Sequence, residues 1–186
     1  MINKKLYFLL SIVIICVSAI IFLLRQGQEN QLKPDNLNSM IIQSSDFKNN
    51  DFIPIVYTCE GENISPQLDF SKVPQNAKSL ALIMDDPDAP RGTFTHWIMW
   101  NISPDTKTIF QNSVPPQAVQ GLNGANKTGY IGPCPPSGTH RYFFTLYALS
   151  DLISISKDSN VLELKNAMSG KIIEEAQIFG LYKKQK

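Results

Sequence analysis

Three short apolar runs separated by proline-rich loops constrain this chain most: Ser79–Met84 (SLALIM), His96–Ile102 (HWIMWNI) and Tyr142–Leu149 (YFFTLYAL). Each is short for a core helix and of the length expected for a strand buried on both faces. The second and third are rich in aromatic side chains, which suit a packed, pleated surface. Prolines outnumber glycines, 12 to 10, and fall mostly in clusters between apolar runs, which argues against an all-helical fold. Met40–Ile42 and Phe52–Tyr57 are further strand candidates, the latter demoted toward a sheet edge by Pro54. From Asn160 to Phe179 the spacing changes. Val161, Leu164, Ala167 and Met168, then Ile172, Ala176 and Phe179, recur at helical intervals. Asn160 is placed to cap this stretch, Gly170 to divide it into two short helices and Gly180 to end it. Strands first and helices last predict a mostly β domain with a small C-terminal helical cover.

The N-terminal part is of another kind. Leu6–Leu24 (LYFLLSIVIICVSAIIFLL) runs for 19 residues without a charge. At about 1.5 Å per residue it nearly spans a hydrocarbon core of about 30 Å. The competing reading is a cleaved signal peptide, with Val17-Ser18-Ala19 resembling a small-x-small site. Apolar residues continue from Ile20 to Leu24, so no polar segment presents that site, and the run is read as an uncleaved transmembrane helix. Acylation of Cys16 is disfavoured because Ile14 and Ile15 stand where small residues are needed. Lys4 and Lys5 precede the run and only Arg25 follows closely, which keeps the N-terminus in the cytoplasm. The expected organisation is a cytoplasmic N-terminus (1–5), a single-pass anchor in the cell (inner) membrane (6–24), a flexible polar linker (25–38) and one domain (39–186). That domain would lie in the periplasm or outside the cell.

Lys plus Arg is 17 against 16 for Asp plus Glu, so no large net field attracts nucleic acid or acidic substrates. With Cys16 assigned to the membrane, Cys59 and Cys134 are the remaining thiols. Either they form a disulfide in an oxidising compartment or they stay as two buried thiols.

Two clusters carry chemistry. Asp85-Asp86-Pro87-Asp88-Ala89-Pro90 follows the first strand directly, and His96-Trp97 opens the second. Burying a carboxylate there requires donors, a cation or water. The second cluster, Gly132-Pro133-Cys134-Pro135-Pro136-Ser137-Gly138-Thr139-His140-Arg141-Tyr142, is a stiff loop running into the third strand. The chain has two histidines, and each sits where a rigid loop meets an aromatic strand. If the strands are neighbours, Asp86, Asp88, His96, His140 and Tyr142 line one cavity with Trp97 as an aromatic wall. Imidazoles oriented by carboxylates suit the binding of phosphate, acetate or a phosphomonoester. The competing chemistries are weaker. A serine hydrolase lacks GxSxG, and Ser137 is a poor elbow. A metal-dependent enzyme would use His96, His140 and a carboxylate. Cys134 with His140 would form a nucleophilic pair. Two histidines satisfied in the core are the structural reading.

These motifs resemble the bacterial and archaeal branch of the phosphatidylethanolamine-binding protein (Raf-kinase-inhibitor-like) family. The resemblance rests on DPDAP at Asp86–Pro90 with His96-Trp97, on the GPxPPxGTHRY-like run Gly132–Tyr142, and on Tyr57–Pro66, Val73-Pro74, Gly129-Tyr130 and Leu146–Leu149. It extends from about Met40 to Tyr182. It implies a β-sandwich in which a large central sheet packs on a smaller one, with short C-terminal helices and an anion pocket at one end. The implied ligand-binding residues are Asp86, Asp88, His96, Gly132, Pro133, Pro135, Pro136, His140 and Tyr142, with Trp97 nearby. It implies no catalytic residue, metal or cofactor. The expected ligand is a small anion or phosphorylated head group, bound either to modulate a protein partner that the sequence does not name, in the manner of a kinase or protease inhibitor, or to sense that ligand. Phe70 and Lys171 depart from the usual bacterial pattern, as does the N-terminal apolar run.

Overall fold

The computed structural model describes residues 39–185. In chain order it contains β1 (Ile41–Gln43), a 3-10 turn (Ile55–Tyr57), β2 (Leu68–Ser71), β3 (Ser79–Asp86), β4 (Phe94–Ile102), β5 (Thr108–Ile109), β6 (Val119–Gln120), β7 (His140–Leu149), α1 (Val161–Met168) and β8 (Ile172–Tyr182). The strands form a five-stranded sheet, β6-β4-β3-β7-β8, and a three-stranded sheet, β1-β2-β5. All pairings are antiparallel.

The three apolar runs become the three central strands of the larger sheet, each slightly longer than its apolar stretch. In β3 every residue except Asp85 is buried, because both faces of the sheet are covered. On one face Leu82, Met84, Trp97 and Phe144 pack against Ile42, Leu68, Phe70 and Ile109 of the smaller sheet. On the other, Ala81, Ile83, Ile98 and Trp100 pack against Leu164 and Met168 of α1. The predicted mostly β sandwich is therefore present, with α1 as a third layer.

Two parts of the expected fold are corrected. Among the described residues no helix is long and apolar enough to cross a membrane. Leu6–Leu24, on which the transmembrane expectation rests, lies outside them. The described fold class is mostly β without a membrane-spanning helix. The second correction is at the C-terminus, where one helix forms instead of two. Asn160 builds a capping box with Glu163 as expected, and Gly170 follows α1 with φ +73°. Beyond it, Ile172–Tyr182 is a strand paired with β7 over its whole length. Ile178, Gly180 and Tyr182 alternate as buried positions, and this two-residue period, backed by ladder bonds, overrides the helical spacing of Ile172, Ala176 and Phe179. The Phe52 strand candidate reduces to a bridge with Leu181, and its neighbours cover the outer edge of β8 through Ile53 N–H to Leu181 O and Leu181 N–H to Asp51 O.

That covering segment explains Gly180. A Cβ there would stand 2.4 Å from Cγ1 of Ile53. Gly180→Val raises strand propensity yet is expected to destabilise the protein by about 1–3 kcal/mol through overpacking. Urea unfolding checks this, and an unchanged midpoint would refute the close approach.

Candidate functional site

Antiparallel pairing brings the C-terminal end of β3 together with the N-terminal ends of β4 and β7. In β4, Trp97 lies opposite Met84 and Thr95 opposite Asp85, so His96 is the extra residue of a bulge. Strict alternation would send His96 and Trp97 to opposite faces. The bulge turns the imidazole back toward β7, where it meets the Tyr142 ring edge-on at 5.2 Å and Phe94 at 4.8 Å. Tyr142 also stacks on His140, with ring centroids 6.4 Å apart. Its ring thus stands between the two imidazoles.

Asp86 is buried, and both of its oxygens are engaged. Oδ1 accepts the backbone N–H of Asp88 at 2.9 Å, and Oδ2 accepts Nδ1–H of His140 at 2.8 Å. Nδ1 of His96 lies 2.7 Å from the carbonyl of Ile131, which can only accept. Both rings are thereby held with Nδ1 as the donor. Nε2 is left without a protein partner, as an acceptor on the neutral ring and a donor on the protonated one. Burial pushes the His96 imidazole below its ordinary pKa, so it stays neutral through the neutral pH range. The Tyr142 hydroxyl is buried beside Asp86 without a hydrogen-bond partner of normal geometry. Burial first, and then the Asp86 carboxylate, hold its proton on well above the usual phenol range. The inner end of the site therefore holds a buried phenol beside the Asp86 carboxylate.

These groups open onto a cavity of about 410 Å³. Of the residues expected from sequence, Asp86, His96, Gly132, Pro135, Pro136 and His140 line it. Four others stand close by without lining it. Asp88 is engaged by Arg141, with Nη2 to Oδ1 at 2.6 Å and Nε to Oδ2 at 2.9 Å. The Arg141 guanidinium holds the Asp88 carboxyl down to about 2. Pro133 offers its carbonyl to Cys59 N–H. Trp97 donates its indole N–H to Gln120 at 2.6 Å and lies in the core. Tyr142 is fully buried beneath the floor. A larger groove of about 730 Å³ by Phe52, Ile55, Tyr182 and Lys183 gathers no comparable set of titratable groups. The chemistry sits in the smaller cavity.

Cys59 and Cys134 are joined in a disulfide with Cα atoms 5.4 Å apart, which settles the alternative left open by the sequence. In this state Cys134 carries no thiol, so a Cys–His nucleophilic pair does not exist. Around the disulfide, Tyr130 donates to the carbonyl of Tyr57 at 2.7 Å and Gly132 N–H donates to Oδ1 of Asn63 at 2.7 Å. The loop is close enough that a Cβ on Gly132 would lie 2.4 Å from Tyr57 O. Among the described residues, no three His, Cys, Asp or Glu side chains are grouped to hold a metal ion.

Sequence reasoning missed Arg91, Phe94 and Ile131 in the lining, and Asn63 behind it. Arg91 was detectable, as one of three arginines in the chain and standing between the Asp cluster and His96. Ile131 acts through its backbone carbonyl, which no side-chain motif reveals.

A family model described as phosphatidylethanolamine-binding protein matches residues 43–183. A UPF0098 protein of Methanothermobacter thermautotrophicus is 45% identical over 150 residues, covering 78% of this chain and 99% of that protein. A crystal structure titled as a putative phosphatidylethanolamine-binding protein homolog, CT736 of Chlamydia trachomatis, aligns with TM-score 0.77 and 42% identity over 80% of this chain and 99% of its own. The structure of E. coli YbcL, titled a new member of the mammalian PEBP family, aligns with TM-score 0.75 and 29% identity over 79% of this chain and 99% of its own.

Two stability measurements test the site. An unpartnered buried donor costs about 1–3 kcal/mol. Tyr142→Phe, which keeps the ring contacts, is therefore expected to leave the ligand-free protein equally stable or raise its stability by about 1 kcal/mol. A marked loss in Tm would show that the hydroxyl has a partner. The second is a pH series. Unfolded His96 takes a proton near its ordinary 6.5 while the folded ring resists it, so stability is full above that pH and declines below it. Asp88 adds a second decline as pH falls from 3.8 through about 2. A thermal-unfolding series should show both limbs, with the first absent in His96→Gln.

Proposed function

The chain belongs to the phosphatidylethanolamine-binding protein family, and from that premise we propose that it is a non-catalytic receptor for a small phosphorylated anion, held in the cavity formed by Asp86, His96 and His140. The single observation that carries this reading is the pair of imidazoles in the cavity lining, each with its Nδ1–H committed to a protein acceptor and its Nε2 left over. A ligand oxygen would accept from the Nε2–H of protonated rings.

The names of the matched proteins carry no enzymatic function. A hydrolase or metal enzyme using His96 and His140 finds no added support, since Cys134 is in a disulfide and no serine is paired with either ring. The occupied pocket would act by signalling ligand level or by modulating a protein partner docked at its mouth. The disulfide supports work in an oxidising compartment.

Because the neutral His96 ring presents an Nε2 lone pair, anion binding and proton uptake are coupled. Affinity for inorganic phosphate is expected to rise as pH falls from about 7.5 to about 5.5. Titration calorimetry in buffers of different ionisation enthalpy would register the proton uptake. His96→Ala should weaken binding at least tenfold. Absence of binding across this range, or undiminished binding by the variant, would falsify the receptor reading.

A further inference from the structure

A count of charge around the cavity exposes a difficulty for any anion. The Asp86–His140 pair carries one negative charge when the imidazole is neutral and none when it is protonated. His96 is neutral in the neutral pH range. The inner end therefore carries no net positive charge, and its carboxylate repels an incoming anion. The lining contains one permanently charged cation, Arg91. Other cations near this part of the fold are committed: Arg141 to Asp88 and Lys165 to Asp85. Among the described residues Arg91 forms no ion pair. It stands in the tight turn closed by Gly92 N–H to Ala89 O at 3.1 Å, with Gly92 at φ +97°. The bidentate Arg141–Asp88 pair ties the start of that loop to β7.

We infer that Arg91 is the anion-gripping, specificity-determining residue of this pocket, and that with the two Nε2 atoms it selects phosphate monoesters over phosphodiesters. This rests on the receptor reading above and adds a residue and a ligand class to it. A guanidinium presents a planar fork that matches two phosphoryl oxygens. A monoester has a second pKa of about 6, so its monoanion can bring its own proton to a neutral Nε2 and share it between that nitrogen and a phosphoryl oxygen. A diester has no such proton. It would require imidazolium from the protein alone and would present one charge to Arg91 where the monoester presents up to two. The remaining lining, including Ala89, Pro90, Phe94, Pro135 and Pro136, provides apolar walls for a compact organic substituent.

The test is calorimetry on the full chain at about pH 6.5, with O-phosphoethanolamine as monoester and glycerophosphoethanolamine as diester. The two probes share their amine and differ in esterification. Wild type is expected to bind the monoester at least tenfold more tightly than the diester. Arg91→Gln should lose at least tenfold in monoester affinity, and Arg91→Lys should recover part of it. Arg91 is exposed, and an unchanged Tm in both variants would assign the loss to the pocket. Monoester affinity within twofold of wild type in Arg91→Gln overturns the assignment of Arg91. Equal binding of the two probes overturns the selectivity. Binding of neither probe by wild type overturns the receptor reading itself, a result distinct from the other two.

Discussion

The register of β3 between β4 and β7 is the constraint on which the rest of the structure depends. Its side chains are buried on both faces, so a slip by one residue would exchange its two packed surfaces. The register that seats Leu82 opposite Leu146 also delivers Asp86 to the sheet end beside His140 and Tyr142. Site and core are thus specified by the same set of cross-strand pairs. The bulge at His96 is one of two departures from regular pairing between β3 and β4. It gives β4 one residue more than β3, and that residue faces the cavity.

A buried carboxylate costs several kcal/mol unless its oxygens are satisfied, and here the neighbouring loop meets the requirement. Asp86 draws one bond from the backbone two residues on, which curls the chain into a turn, and another from an imidazole across the sheet. Asp88 does the complementary work outside. Its bidentate pair with Arg141 is half-exposed and so contributes modestly to stability, yet it fixes where the turn lies against β7. The three aspartates of the cluster therefore have three different tasks. Asp85 faces the opposite side of the sheet, where it accepts from Thr95 and pairs with Lys165.

Much of this was legible in the amino-acid order. The three apolar runs are the three central strands, and the two loop-to-strand junctions bearing histidine meet at one sheet end. Legibility failed where a residue's role depends on a distant neighbour. Phe179 fits a helical period equally well by sequence, and only pairing with Phe143 makes its segment a strand. Trp97 was expected in the cavity because it adjoins His96, but the bulge lets both turn from strict alternation and Trp97 finds its partner in Gln120. Asp88 was expected in the cavity, whereas its carboxylate is paired with an arginine 53 positions away.

The far wall of the cavity comes from the segment around Gly132, which has little secondary structure of its own and would be costly to order on binding. Here it is already ordered by attachments to the turn at Tyr57–Asn63: a tyrosine hydroxyl, an asparagine amide, a backbone bond to Pro133 and the disulfide. A bridge across 75 residues removes about 4 kcal/mol of unfolded-state entropy in the chain-entropy account. The larger consequence is local. Because Cys134 lies in the lining, the covalent link ends at the cavity wall, and the entropy of ordering that wall is met during folding. A small anion contributes few contacts, so a pocket that had to order itself on binding would retain little net affinity. Prior fixation of the wall is what the proposed receptor role would require of a cavity this small.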